Sequence, residues 1–127
     1  MPDNQRRGMK WIRTAKRLAI YLRDGMACVW CGQRGSDLGY GLTLDHVLPG
    51  NDHTHLVTAC TECNASRGNR ALTPEQWVHV DLIRHRPLDL AAGKALERLR
   101  ASIPKRRRPT YKFPSRQCLA ASLQSSE

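Results

Sequence analysis

Apolar residues recur at three- and four-residue spacing near the start of the chain: Trp11, Ala15, Leu18 and Leu22, with Ile12 and Ala19 beside them. That spacing predicts a helix over 9–23, with Arg13, Lys16, Arg17 and Arg23 at the remaining positions. Asp24-Gly25 ends it. Residues 32–43 are Gly-rich and polar and predict a loop. From Gly41 to Leu48 the pattern alternates in part and stops at Pro49-Gly50, which predicts a short strand and a turn continuing through Asn51 to His55. Leu56-Val57-Thr58-Ala59 predicts a second strand, and helix-compatible residues run from Glu62 to Asn69. Thr73-Pro74-Glu75-Gln76 is a helix start, with an N-cap threonine, proline at the first position and glutamine three residues on; the helix extends to 85, before Pro87. Leu88, Ala92, Leu96, Leu99 and Ile103 share one face of a last helix over 88–102. There is no internal repeat.

Composition sets the scale. A chain of 127 residues suits one domain, and 6% aromatic content keeps its core modest. The formal net charge is +10, and the positive excess lies in residues 1–23 and 71–127, while residues 24–70 are slightly acidic. Basic flanks suit a polyanion, because each neutralised phosphate releases condensed counterions. Solubility and binding to acidic lipid are the plainer readings of the same charge. No stretch is apolar enough to span a bilayer, and the N-terminus lacks the apolar run of a secretory signal. A cytoplasmic chain is expected, in which cysteines act as thiolate ligands rather than disulfides.

Four of the five cysteines fall in two knuckles, Cys28-Val-Trp-Cys31 and Cys60-Thr-Glu-Cys63. Two Cys-x-x-Cys turns can supply the four soft ligands of one tetrahedral zinc, and a shell so filled has no open position, so this metal is expected to be structural. Cys118 has no partner motif and reads as a free thiol in the tail. Between the knuckles lies Asp45-His46, and Asn64 follows the last cysteine. A neutral histidine can take a proton from water at physiological pH, and a carboxylate and an amide oxygen are hard ligands suited to magnesium or manganese. The same residues can also form an ordinary turn, with Asp45 bonded to backbone and His46 partly buried. On a strand, adjacent side chains point to opposite faces, so Asp45 and His46 serve one site only if the strand ends or twists there.

The combined text resembles the HNH endonucleases, a zinc-stapled form of the ββα-metal nuclease fold. The residues that carry the resemblance are Arg23-Asp24-Gly25, Cys28 to Gly32, Leu44-Asp45-His46-Val47-Leu48-Pro49, Leu56 to Asn64, and Arg67-Gly68, about half of the chain. The resemblance implies that His46 is the general base and that Asp45 and Asn64 hold one catalytic divalent ion, Mg2+ or Mn2+, which would stabilise the charge on phosphorus and the leaving oxygen. It places a basic residue at Arg67, there to contact a phosphate or to lie on a solvated helix face. The chain departs from the family pattern at one letter: the asparagine normally just before the Leu-Val of the second strand is His55. A histidine can brace the loop by donating to a carbonyl, ligate the metal, or leave a weakened enzyme. His53 reads as a turn residue.

The expected fold is α+β: a small ββα-metal core with a structural four-cysteine zinc site, flanked by helices. Residues 1–8 form a disordered basic arm, 9–103 the nuclease domain with its core at 24–70, and 104–127 a basic, disordered tail. The expected function is metal-dependent hydrolysis of DNA phosphodiesters by a bacterial or phage-encoded enzyme, with DNA gripped by Arg13, Lys16, Arg17 and the run Lys105, Arg106, Arg107 and Arg108. The alternative is a zinc-knuckle module that binds nucleic acid without cutting it. A protein-interaction domain does not account for the charge.

Overall fold

The computed structural model describes residues 12–104. Trp11, Cys118 and the basic run at 105–108 lie outside the described residues, as do the arm and the tail. Helix α1 spans Thr14–Arg23 and stops at Asp24, where Gly25 and Met26 both take positive φ, at 80° and 57°. The turn is closed by Met26 N donating to Tyr21 O at 2.7 Å.

Strands β1 (Leu42–His46) and β2 (Leu56–Cys60) form a two-stranded antiparallel sheet. Its register runs from Leu42 opposite Cys60 to His46 opposite Leu56. A 3-10 turn at His53–His55 reverses the chain, and Asp52 caps it by accepting from Thr54 N. Helix α2 (Thr61–Arg67) follows β2 without a loop, because the Cys60 sulfur itself accepts from Cys63 N and serves as the N-cap.

The sheet has a core on each side. Leu42, Leu44 and Leu56 pack with Leu18, Ile20, Tyr21, Met26 and Leu96. Val57 and Ala59 pack with Trp30, Leu72, Val80 and the cysteines Cys28, Cys60 and Cys63. The stripe expected on α1 is therefore broader than its spacing implied. Leu18, Ala19, Ile20 and Tyr21 are all buried in sequence, while Leu22 is 37% exposed. A helix held between the sheet and a second helix hides more of its circumference than one lying on a single surface.

The Arg23 side chain is also buried. Its guanidinium pairs with Asp24 (Nε to Oδ1, 2.7 Å) and donates to the carbonyls of His53 and Leu56 at 2.8 and 2.7 Å. Asp24 in turn accepts from Thr58 N at 2.8 Å. The end of α1 is thus tied to β2 and to the turn before it.

Helix α3 (Pro74–Val80) has the expected capping box: Thr73 Oγ1 accepts from Gln76 N at 3.1 Å and Gln76 Oε1 accepts from Thr73 N at 2.9 Å. It is shorter than expected, and the chain passes through a 3-10 turn at Ile83–His85. There Arg84 donates to Thr54 O at 2.8 Å and sits over the Trp77 ring.

Helix α4 (Leu90–Ala101), capped by Asp89, packs on α1 through the expected face shifted toward Gly93. Leu96 is buried, but Leu99 is 58% exposed, and the contact centres on Gly93. A Cβ on Gly93 would lie 2.2 Å from Ala15 O and 3.0 Å from Ala19 Cβ. Gly93→Ala gains about 1 kcal/mol of helix propensity. It must also push two helix backbones apart, at about 1–3 kcal/mol. A lower urea midpoint is expected; a raised midpoint would contradict this close crossing.

The described architecture is a small α+β fold in which helices flank a two-stranded sheet. No helix among the described residues is long and apolar enough to cross a membrane.

Candidate functional site

Cys28, Cys31, Cys60 and Cys63 converge at one edge of the sheet, with all four sulfurs within 4.8 Å of one another. The first knuckle is shaped by backbone bonds. Cys28 N donates to Gln33 O and Gly32 N to Cys28 O, both at 2.9 Å, and Gly32 takes φ 78°. Val29 N donates to Thr58 O at 2.9 Å, which fastens this knuckle to β2 beside the second one. Trp30 N points at Cys28 Sγ and Cys63 N at Cys60 Sγ, each at 3.3 Å.

Zinc–sulfur bonds of about 2.3 Å at tetrahedral angles put sulfurs roughly 3.8 Å apart. Cys31 Sγ and Cys60 Sγ are separated by 3.8 Å. The cluster could therefore hold a metal such as zinc with little rearrangement. Without one, its protons are unevenly held: a hydrogen bond from the Cys63 thiol draws Cys28 down to about 5, while burial pushes Cys60 up to about 12. Thiols this close cannot all ionise unless a cation neutralises them.

A second feature is a cleft of about 520 Å³, bordered by Asp45, His46, Asn64, Arg67 and Arg70. Strand β1 delivers Asp45 and His46 to it, and α2 delivers Asn64 and Arg67. Asn64 Nδ2 donates to Leu44 O at 3.4 Å, so the amide bridges the helix to the strand. Because His46 ends β1, it and Asp45 both reach the cleft despite their alternating directions.

The two neighbours have very different surroundings. Asp45 is 2% exposed and its carboxylate is gripped by three donors. Arg67 Nε and Trp30 Nε1 donate to Oδ2 at 2.7 and 2.9 Å, and Arg67 Nη2 donates to Oδ1. His46 is exposed, and its Nε2 lies 3.0 Å from Asn51 Oδ1. An amide oxygen only accepts, so in this contact Nε2 carries a proton, and in a neutral ring Nδ1 would keep its lone pair.

Arg67 requires a correction. It is neither a solvated helix-face residue nor a guanidinium open to a phosphate. It is 3% exposed and spends two more of its five donors on His46 O and Arg70 O, both at 2.6 Å. A buried carboxylate needs a buried partner, and the helix turn after Asn64 is the element within reach. Arg67→Ala is expected to cost about 3–5 kcal/mol, since it strands the Asp45 charge. Arg67→Lys is not expected to recover that loss, because one ammonium cannot replace the two-pronged fork. Urea unfolding of both variants measures this.

His55 braces the loop with its backbone rather than its ring: its carbonyl accepts from Val47 N at 2.9 Å and Leu48 N at 3.4 Å. Its Nδ1 is buried with no hydrogen-bond partner among the described residues, close under Gly50. His53 lies in the 3-10 turn, as expected. Three contributors escaped sequence reasoning. Asn51 was legible only as a turn residue, Trp30 only as filler inside a knuckle, and His79 had no signal at all. His79 Nε2 contacts Val29 O, and its ring lies 5.9 Å from that of Trp30.

Of the expected nucleic-acid contacts, Arg13 is exposed at the N-cap of α1, Lys16 Nζ donates to Asn51 O, and Arg17 Nη1 donates to Tyr21 Oη at 3.3 Å. Asn51 thus links Lys16 of α1 to His46 at the cleft. Comparison of the chain with protein-family models, with curated proteins and with solved structures yields no match.

Proposed function

We propose that this protein is an HNH-type endonuclease with a ββα-metal core, and that it hydrolyses DNA phosphodiesters in the cleft beside β1. The observation that supports this most is the meeting of His46, Asp45 and Asn64, from strand and helix, around one open cleft. A strand–turn–strand–helix unit with a four-thiolate staple at its edge is the scaffold such a site needs.

A divalent ion fits the donor chemistry. Asp45 and Asn64 would hold Mg2+ or Mn2+, with Asp45 using the one acceptor position that Trp30 and Arg67 leave of its roughly four. When bound, the ion supplies positive charge to the transition state. The chain's own residues do the rest. Asn51 fixes the imidazole so that Nδ1 of His46 can accept a proton from water. Arg67 holds both Asp45 and the His46 carbonyl, which sets the end of β1. Arg70, exposed at the cleft, supplies positive charge toward a phosphate. Asn51→Ala is expected to slow cleavage by about tenfold through lost orientation of the base, without loss of DNA affinity; an unchanged rate would remove Asn51 from the mechanism.

The test of the function is cleavage of supercoiled plasmid by purified full-length protein with Mg2+ or Mn2+. Nicked or linear product is expected, and EDTA should abolish it. A second reading, a zinc-knuckle module that binds nucleic acid without cutting, is favoured by one observation: Arg67 already neutralises Asp45. DNA binding with no cleavage under either ion would establish that reading instead.

A further inference from the structure

Beside the crossing of α1 and α4 lie two adjoining hollows of about 380 and 310 Å³. The first is bordered by the apolar residues Ile12, Ala15 and Leu90 and by the cations Arg13, Lys16 and Lys94, and no carboxylate borders it. The second shares Arg13, Ala15 and Lys94 and adds Arg98 and Glu97. Their shared borders make them one groove, with Glu97 its single acid among four cations. Arg17, expected to act with Arg13 and Lys16, borders neither hollow.

Arg13, Lys94 and Arg98 are exposed, and none of them makes an ion pair among the described residues. Lys16 is half-buried, and one of its three ammonium donors goes to Asn51 O. Lys94 and Arg98 stand one turn apart on α4, where like charges repel by about 0.2–0.5 kcal/mol. An anion laid across the groove turns that repulsion into attraction.

The groove also adjoins the cleft. Asn51 borders it, and the same residue holds Nε2 of His46 at 3.0 Å. A lipid surface is the other polyanion to weigh, but it takes an apolar face that projects into it. Here the apolar residues border a hollow, and of the three only Leu90 is exposed, at 47%.

We infer that this groove is a nucleic-acid contact outside the cleft. Arg13, Lys94 and Arg98 neutralise backbone phosphates there, and Leu90 and Ile12 lie against the apolar edge of the sugars. The surface gives two of the expected α1 cations a place and adds two residues of α4. That the strand in the groove is the one cut in the cleft rests on the nuclease reading above; that the groove takes backbone phosphate does not.

The experiment uses the full chain carrying His46→Ala, so that DNA stays intact, and a short fluorescent duplex followed by anisotropy across a salt series without divalent ions. The Lys94→Gln/Arg98→Gln pair is expected to lower the salt slope by about 1.8, as two lost phosphate neutralisations should. Both positions are exposed, so the urea midpoint should hold. The exposed pair Arg34→Gln/Arg86→Gln removes the same net charge near the other end of α1. There Arg34 Nη1 donates to Gly25 O at 3.4 Å and Arg23 to Arg84 O at 3.2 Å, and the 10-residue helix puts that end about 15 Å from Arg13. This control should change the slope by less than half as much. Leu90→Ser removes apolar contact and no charge, so it should weaken binding a few-fold with the slope unchanged.

Vesicles of phosphatidylserine and phosphatidylcholine test the lipid alternative with the same variants. A slope change concentrated in the α4 pair supports the groove. Equal changes in the two pairs, no change in either, or a loss of vesicle binding alone overturns it. In the chain that keeps His46, the α4 pair should raise KM for plasmid severalfold and leave kcat within about twofold; a fall in kcat at constant KM would detach the groove from the cut strand. A protein that never cuts DNA yet shows the slope change keeps the groove and loses the nuclease.

Discussion

His46→Ala is expected to reduce plasmid cleavage by about 10²- to 10⁴-fold, the usual contribution of a general base. That loss corresponds to roughly 2.7–5.4 kcal/mol of transition-state stabilisation. DNA affinity should stay within about twofold, since a neutral imidazole neutralises no phosphate. Stability should hardly move, because His46 is exposed at the end of its strand and its one side-chain partner, Asn51, sits in an adjacent turn. The combination discriminates. A merely structural residue would lose fold and activity together, and a phosphate contact would lose affinity. Equal cleavage by wild type and His46→Ala would remove His46 as the base. Loss of cleavage with loss of folding would instead assign it a structural part that its exposure argues against.

The second large effect concerns the four cysteines. Metal analysis is expected to find about one zinc per chain. Stripping it with a strong chelator, or replacing Cys60 with serine, should unfold the domain at room temperature. Apparent zinc-binding energies in four-ligand sites are about 10–16 kcal/mol, while whole domains are stable by about 5–15 kcal/mol. One of the two cores consists partly of the cysteines themselves: Cys28, Cys60 and Cys63 are buried with Trp30, Val57 and Val80. Losing the metal would place several mutually repelling or protonated thiols in that core.

The pH dependence follows in sign. Burial holds Cys60 protonated to about pH 12 in the metal-free cluster, so zinc must displace that proton. Affinity should therefore rise with pH, and acid should release the metal and then the fold. Circular dichroism during chelator and acid titrations measures both steps. A chain that stays folded and cooperative with no bound metal would refute the structural role.

Much of the local structure was legible because it depends on neighbours in sequence. The capping box at Thr73 and Gln76, the break after Asp24, and both strands rest on local pattern and turn chemistry. The start of α2 needed only that its N-cap also be a cysteine. What was illegible depended on partners far along the chain. Arg67 looks like any helix arginine until it meets Asp45, 22 residues earlier. Leu99 fits an apolar stripe, but the helix turns Gly93 to its neighbour, because a crossing this close tolerates no side chain at the contact point.

The site divides along the same line. The sequence by itself determined the two knuckles, the Asp45-His46-Asn64 set and the uneven charge, since spacing and residue type carry those. Only the tertiary structure decided how they are supported. It brought Asn51, rather than His55, to His46, and it enclosed Asp45 between Trp30 and Arg67. The reason is physical: ligand spacing within a turn is a local property, whereas the partner of a buried charge or of a ring nitrogen is chosen by packing among elements the sequence does not place side by side.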